Sequence, residues 1–464
     1  MRELLAQFGQ HGVGGGAHAA PDAKGLGRLL HQHAQAIACH GAMGAGPIQK
    51  WLGRRAVHQV AGEGAGAQYL RGHGHATALQ AAGRGVEHHV ETAVHHRRIV
   101  QAAALQVDAL RSGQCGVARG HGVRAIVANE GPQTLTELVE GVDVTRIGRT
   151  FAISSAPVAF GMARALRAEA TRQDPADVLH LHSPYPWGEL EWLRARPGVP
   201  TVLTYHSDIV RQRLMLKGYA PFLHRVLDRV DLIIATSPDM VVHSEFLAPR
   251  ATKCRVVPFG IDVDAFASTP AVEARAAQIR SAHQRPIVLF VGRLVYYKGA
   301  EVLVRAMADV DADLVMMGSG PLEAGLVALA IELGIVDRLT IVPPSPIDEL
   351  IAYYHAADVF CLPSIARSEA FGLVQLEAHA SGTPVVSTTL TTGVPYVNAD
   401  GVTGLTVPPG DATALAGALR TLVEDAPLRE RLGAQALERA RAEFNIGRMV
   451  DDTLAVYAEA RGVA

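Results

Sequence analysis

From Val123 onward, short apolar runs of strand length alternate with longer stretches in which apolar residues recur every three or four positions. Strands are expected at 123–129, 142–147, 177–182, 201–206, 231–236 and 255–258, with helices at about 157–170, 186–195, 216–229 and 238–247. A polar, Ala-rich stretch at 264–284 interrupts the series and reads as a domain boundary. The alternation restarts with strands at 286–291, 313–317, 339–342, 359–362 and 384–387. Helices follow at about 298–309, 321–334, 347–356, 371–381, 411–424 and 427–443, and a last one at 446–461. Strands alternating with helices of ten or more residues argue for parallel βαβ units. The expected architecture is α/β, with two Rossmann-like doubly wound domains, 118–270 and 285–445, facing a cleft, and a C-terminal helix within 446–464.

Residues 1–117 read differently. Histidine and glycine crowd this segment, and stretches such as Gly12 to His18 show neither apolar period. The pairs His31/His33, His73/His75, His88/His89 and His95/His96 lack the cysteines or carboxylates of a defined metal site. Out-of-frame translation of GC-rich DNA, which turns common Val, Leu and Ala codons into His, Gln and Gly codons, accounts for this composition better than a metal-binding extension does. An irregular N-terminal segment is therefore expected, without a strand before Val123, and with isolated helices around 24–36 and 86–112.

Composition narrows the function. A net charge of −2 removes the case for a dedicated nucleic-acid binder. No apolar run reaches the length of a membrane span, and the first residues lack a signal-peptide pattern. Cys39, Cys115, Cys254 and Cys361 lie far apart without a CxxC pair, as suits a reducing cytoplasm. No metal site and no cofactor are expected. Only five of the 43 basic residues are Lys, so a Lys inside a motif stands out.

Open parallel sheets bind ligands beyond the carboxyl ends of their strands. After strand 286–291 come Gly292 and Arg293, then Lys298 and Gly299. Arg293 and Lys298, with Lys298 opening a helix, suit a diphosphate; the competing reading is a pair of solvated charges. After strand 313–317 comes a glycine turn, Gly318-Ser319-Gly320-Pro321, which any strand-to-helix corner can use. After strand 359–362, Glu369 precedes a helix and Glu377 lies within it. Backbone amides at Phe371, Gly372 and Leu373 would meet a phosphate at the helix start, and Glu377 would take the diol of a ribose. Glu369 would reach hydroxyls beyond the phosphates. Otherwise the two carboxylates are a helix-start acid and a solvated one. Strands 177–182 and 201–206 bring His182 and His206 to one rim, as hydrogen-bonders or as acceptor-side groups.

Together these segments resemble the retaining GT-B glycosyltransferases of family four over about residues 118–464. The resemblance rests on Glu369 to Glu377 within Ser368-Glu-Ala-Phe-Gly-Leu-Val-Gln-Leu-Glu377, on Val291-Gly-Arg-Leu294 with Lys298-Gly299, and on Gly318-x-Gly320-Pro321. Pro258-Phe-Gly-Ile-Asp262, Ala380-Ser-Gly-Thr-Pro-Val-Val386 and Gly404 to Asp411 belong to the same pattern. It implies metal-independent transfer of a hexose from a GDP- or UDP-linked sugar to a glycan or polyprenyl-linked acceptor, with retained configuration, by front-face attack. It implies that Arg293 and Lys298 hold the donor diphosphate, Glu377 the ribose and Glu369 the sugar, with His182 lining the acceptor side near the anomeric carbon. The segments 205–212 and 391–398 look like bacterial surface-polysaccharide mannosyl- or rhamnosyltransferases. Arg211, Arg213, Lys217, Arg225 and Arg229 give 209–229 a basic face. That face either docks peripherally on the inner face of a membrane or is the solvated side of an amphipathic helix.

The resemblance fails within 1–117, where the first strand and glycine-rich loop of the family should lie. Only Arg84 to Val90 and Ala118 to Val123 look like parts of that element. Without a central first strand the chain is expected to be unstable in its first domain or poorly active. The alternatives are then a donor-binding but catalytically impaired remnant, a GT-B-shaped nucleotide-sugar epimerase, or a phosphorylase. The last needs a lysine for pyridoxal phosphate, and Lys298 is the single Lys of the second domain.

Overall fold

The computed structural model describes residues 98–103, 119–139, 141–153, 156–208 and 213–462. The expected helix 24–36, the histidine pairs, the Arg84–Val90 resemblance, and Arg211 lie outside the described residues.

Two largely parallel sheets organise the chain. The first comprises β1 (Arg98–Ala103), β2 (Gly122–Ala128), β3 (Leu135–Val139), β4 (Val142–Ile147), β7 (Val178–Ser183), β8 (Thr201–Tyr205), β9 (Leu232–Ala235) and β10 (Cys254–Val256). A short hairpin of β5 (Phe151–Ile153) and β6 (Ala156–Val158) stands apart. The strand order is β10-β9-β8-β7-β1-β2-β4-β3, parallel except for β3 at the edge. The fully buried runs of β7, β8 and β9 are what a sheet covered on both faces requires.

β1 corrects two expectations. A strand does precede Val123, and the helix expected at 86–112 is interrupted by extended chain at Arg98–Ala103. β1 fills the central slot, pairing in parallel with β2 (Ile99 with Val123) and with β7 (Ile99 with Val178). The connection to β2, residues 104–121, exceeds the roughly dozen residues a parallel crossover needs. Six residues with two β-branched side chains, set among Ala, Gln and His, carry no local strand signal. The slot between two waiting strands supplies backbone partners on both sides, and tertiary context overrides propensity.

The second sheet is all parallel: β11 (Ile287–Val291), β12 (Asp313–Met317), β13 (Leu339–Val342), β14 (Val359–Leu362), β15 (Val385–Thr388) and β16 (Gly404–Val407). Its order, β13-β12-β11-β14-β15-β16, reverses direction between β11 and β14. That crevice is where a doubly wound sheet takes its ligand.

The stretch 264–284 is not a break. Val257 packs with the first sheet's core, whereas Ile261, Val263 and Phe266 pack with the second's, so the chain changes lobes near 258–260. Thr269 then caps the helix Pro270–Ser281 by accepting from Val272 N, and Ala276 and Ile279 are buried in the second core. The last helix, Ile446–Ala460, capped by Asn445, crosses back to the first sheet. Its Val456 and Tyr457 pack against Val123, Val202 and Ile234, and Arg119–Asp451 (2.7 Å) and Arg461–Asp177 (3.2 Å) fasten its ends. The helix expected at 157–170 begins only at Met162, because 156–158 is the second arm of the hairpin.

Candidate functional site

Two loops meet at the crevice between β11 and β14. After β11 the chain turns at Gly292, and the glycine turn after β12 locks onto it: Leu294 N donates to Ser319 O at 3.0 Å. A Cβ on Gly318 would stand 1.8 Å from Gly292 O, and one on Gly320 2.3 Å from Leu294 O. Both glycines are needed for this close packing beneath the site. Lys298 does not open a helix, as the sequence suggested; it closes a short 3-10 turn, Tyr296–Lys298, and the next helix starts at Ala300. Between them Gly299, at φ 69°, lies so close to the loop after β14 that a Cβ would stand 1.9 Å from Pro363 O.

This approach brings Lys298 to Glu369. Their Nζ–Oε2 distance is 2.5 Å, and both side chains are less than a tenth exposed. Ser364 Oγ donates to the same Glu369 oxygen at 3.0 Å. Burial opposes the charge on Lys298, but the carboxylate of Glu369, aided by Tyr297 and Glu377, outweighs it and holds the ammonium above the usual lysine range. Arg293 is half-buried beside the same turn. The reading of Lys298 as a solvated charge is therefore excluded.

The helix Leu373–Ala380 begins at Gly372, which adopts φ 76° as its N-cap, and no side chain caps it. Phe371 is buried, its ring meeting those of Phe259 and Phe444 edge-on at 5.3 and 6.3 Å. Because the helix starts at Leu373 rather than 371, Glu377 lies little more than one turn inside it. Glu377 is buried, with Tyr354 OH donating to its Oε2 at 2.8 Å. Tyr354 fixes that carboxylate, which offers about four acceptor positions in all.

On the facing rim, His182 and His206 are bonded, Nδ1 to Nε2, at 2.9 Å. A stack runs from His180 through His182 and His206 to Phe259 of the connecting segment. His180 is held by Tyr457 OH (2.6 Å) and Thr204 Oγ1 (2.7 Å), tying the stack to the returning helix. Burial, then His206, pushes His180 down to about 3; burial, with His180 and His206, pushes His182 well below the usual histidine range. His182 is thus neutral, and its Nε2 has no partner among the described residues. The cavity beside it, lined by Met162, Leu181, Tyr185, Gly188 and Glu189, is about 10 Å³, room for no more than a water.

The site elements that the sequence left unnamed are Ser364, Tyr354 and Phe259. Phe259 lies inside the motif Pro258 to Asp262 and Ser364 between the strand 359–362 and Glu369, but only the fold shows that they meet His206's ring and Glu369's carboxylate. Tyr354 belongs to another helix altogether, Ile347–Ala356.

His379, in the same helix as Glu377, is fully buried and neither ring nitrogen has a partner among the described residues. Burial, with Arg439 nearby, pushes it down to about 3 from 6.5. As pH falls through 6.5 the unfolded ring takes a proton that the folded ring refuses until about 3, so stability is lost across that window. Replacing His379 with Leu should stabilise the protein by about 1–3 kcal/mol at neutral pH. It should also remove an acid slope of up to about 1.4 kcal/mol per pH unit. Denaturant unfolding at pH 7.5 and 5 measures both effects; equal stability of variant and parent at each pH would refute this.

A family model described as glycosyltransferase family 4 matches residues 110–265, and one described as glycosyl transferases group 1 matches residues 272–439. The D-rhamnosyltransferase WbpZ of Pseudomonas aeruginosa is 37% identical over 269 residues, which span 58% of this chain and 70% of that protein. The chain belongs to the GT-B glycosyltransferases of family four. The O-antigen chain mannosyltransferase C of Escherichia coli is 33% identical over 66% of this chain and 81% of its own length. Among solved structures, the sucrose-phosphate synthase of Thermosynechococcus elongatus superimposes with a TM-score of 0.67 at 24% identity, over 79% of this chain and 100% of that one. This glycosyltransferase therefore has the two-lobed GT-B architecture. Among its described residues no helix is long and apolar enough to cross a membrane.

Proposed function

We propose that this glycosyltransferase moves a hexose, mannose or rhamnose in type, from a nucleotide-diphosphate sugar to a growing surface glycan or its polyprenyl-linked precursor, with retention at the anomeric carbon. The observation that carries the reading is the buried Lys298–Glu369 pair at the topological switch point, with Glu377 fixed by Tyr354 one turn further on. An ammonium has three donors, so Lys298 can keep Glu369 and still bind a diphosphate oxygen. With Arg293 it offsets the charge that grows on the leaving diphosphate, usually the largest single contribution to catalysis. The uncapped amides at Phe371, Gly372 and Leu373 add to this, and the close packing of Gly318 and Gly320 on Gly292 and Leu294 supports the loop that carries Arg293 and Lys298. Glu377 accepts from the ribose hydroxyls and Glu369 from the sugar.

His182, held neutral, presents an imidazole nitrogen on the acceptor rim, with His206 fixing its ring. A neutral ring suits a reaction in which the departing phosphate takes the acceptor's proton. The named rhamnosyl- and mannosyltransferase relatives support the sugar class and the surface-glycan setting. The central strand β1 counts against reading the chain as a donor-binding remnant, since it fills the slot between β2 and β7. We place the reaction in the cytoplasm, at the inner face of the membrane. In helix Arg213–Arg229, Leu223, Val226 and Leu227 face the core while Phe222, Arg225 and Arg229 are exposed, as either a membrane-docking or a solvated face requires.

The test is transfer from GDP- and UDP-hexoses to a polyprenyl-diphosphate-linked glycan, with the product's anomeric configuration read by proton NMR. Retention with one donor family is the expected result. Inversion, or no transfer from any donor, would contradict the reading.

A further inference from the structure

Among the contacts between the two lobes is one made by a side chain that the proposed chemistry does not use. Arg367 lies on the loop after β14, two residues before Glu369. Its Nη1 donates to Thr391 Oγ1 within its own lobe at 2.9 Å. Its Nη2 crosses to the first lobe, donating to Asp208 Oδ2 at 2.6 Å and to His243 O at 3.1 Å. Asp208 is itself held in place: its Oδ1 accepts from Tyr205 OH at 2.9 Å and from Ser244 Oγ at 2.6 Å. It also lies two residues beyond His206, the partner of His182. Three residues past Arg367, Ala370 packs into the first lobe's core, so the loop touches that lobe at a second point.

We propose that Arg367 is a positioning residue for the transfer: through Asp208 it fixes the loop carrying Glu369 relative to the His182–His206 pair, and so sets the donor sugar against the acceptor hydroxyl. A guanidinium suits the task because its planar fork addresses a hydroxyl, a carboxylate and a carbonyl at once from a fixed geometry. A partly buried ion pair such as this one contributes modestly to stability, whereas a misplacement of about 1 Å between reacting groups costs about a hundredfold in rate. The tie should therefore show in turnover more than in stability or in nucleotide affinity. This rests on Glu369 serving the donor as proposed above.

The experiment compares Arg367→Gln, Arg367→Lys, Asp208→Asn and the Arg367→Gln/Asp208→Asn double variant in the full chain. Nucleotide affinity is read by thermal shift, kcat and acceptor KM by transfer, and lobe separation by small-angle X-ray scattering without ligand. The expected result is nucleotide affinity within about twofold of the parent, kcat lowered about 10- to 100-fold in Arg367→Gln and Asp208→Asn, and partial recovery in Arg367→Lys. The double variant should be no worse than either single one, as partners in one interaction require. The radius of gyration should rise in each variant that breaks the tie. Additive losses, or a nucleotide affinity that falls in step with kcat, would overturn the proposal. So would an unchanged radius of gyration. Because scattering needs no turnover, a chain that transfers no sugar refutes the functional reading while the tie is still tested.

Discussion

Glu369→Gln is expected to lower kcat about 100- to 1,000-fold, equivalent to about 3–4 kcal/mol of transition-state stabilisation. The carboxylate both faces the donor sugar in the proposed arrangement and neutralises Lys298, from which it lies 2.5 Å away. The amide keeps the shape but not the charge. Lys298 then remains buried without a counter-ion, and breaking one partner of a buried pair costs about 3–5 kcal/mol of stability. The variant should therefore unfold at a lower temperature than the parent. A bound diphosphate returns the missing negative charge to Lys298, so the cognate nucleotide should stabilise Glu369→Gln by more than it stabilises the parent. Steady-state transfer assays and thermal unfolding with and without nucleotide check both halves. A variant with parental kcat, or one that nucleotide stabilises less than the parent, would show that Glu369 does not have this role.

Val100→Pro is expected to lower stability by about 3 kcal/mol or more, because proline removes a ladder hydrogen bond in the middle of a sheet. Val100 is paired with Arg124 on one side and Leu179 on the other, so the loss falls at the centre of the first lobe. In the parent chain the amides of Ile99–Ala102 should exchange with solvent as slowly as those of β7, since a strand flanked on both sides opens only with the sheet. Hydrogen exchange resolved by peptide measures this directly. Fast exchange at 99–102, or a proline variant as stable as its parent, would mean that another segment occupies the central slot.

The contrast between these two positions shows what was legible in the sequence. Most strands of the second sheet appear as buried apolar runs, and Glu369, Glu377, Arg293 and Lys298 follow directly from reading the residues after strand ends. β1 was not legible because Arg-Ile-Val-Gln-Ala-Ala has no period and few β-branched residues; only the vacancy between β2 and β7 makes it a strand. β3 is also silent, since four of its five residues are exposed and it has no buried face to alternate. The helix Pro270–Ser281 was hidden by its polarity, burying only Ala276 and Ile279. Within the site, spacing could place Glu369 and Glu377 on one loop and helix. It could not show that Ser364 and Tyr354 hold those carboxylates, or that Asp208 reaches Arg367 across 159 positions of chain. Those contacts are made by the folding of separate elements onto one another and leave no local pattern.

The central claim is that the crevice between β11 and β14 binds a nucleotide diphosphate through Lys298 and Glu377. The most direct measurement is thermal unfolding of the full chain with GDP, UDP and ADP, repeated on Lys298→Met and Glu377→Gln. One of GDP and UDP should stabilise the parent by about 2.7 kcal/mol at a hundred times its dissociation constant. Both variants should need at least about tenfold more of it for the same shift, as loss of a charged hydrogen bond of about 1.5–3 kcal/mol implies. No shift with any of the three nucleotides, or a shift that survives unchanged in both variants, would contradict the account.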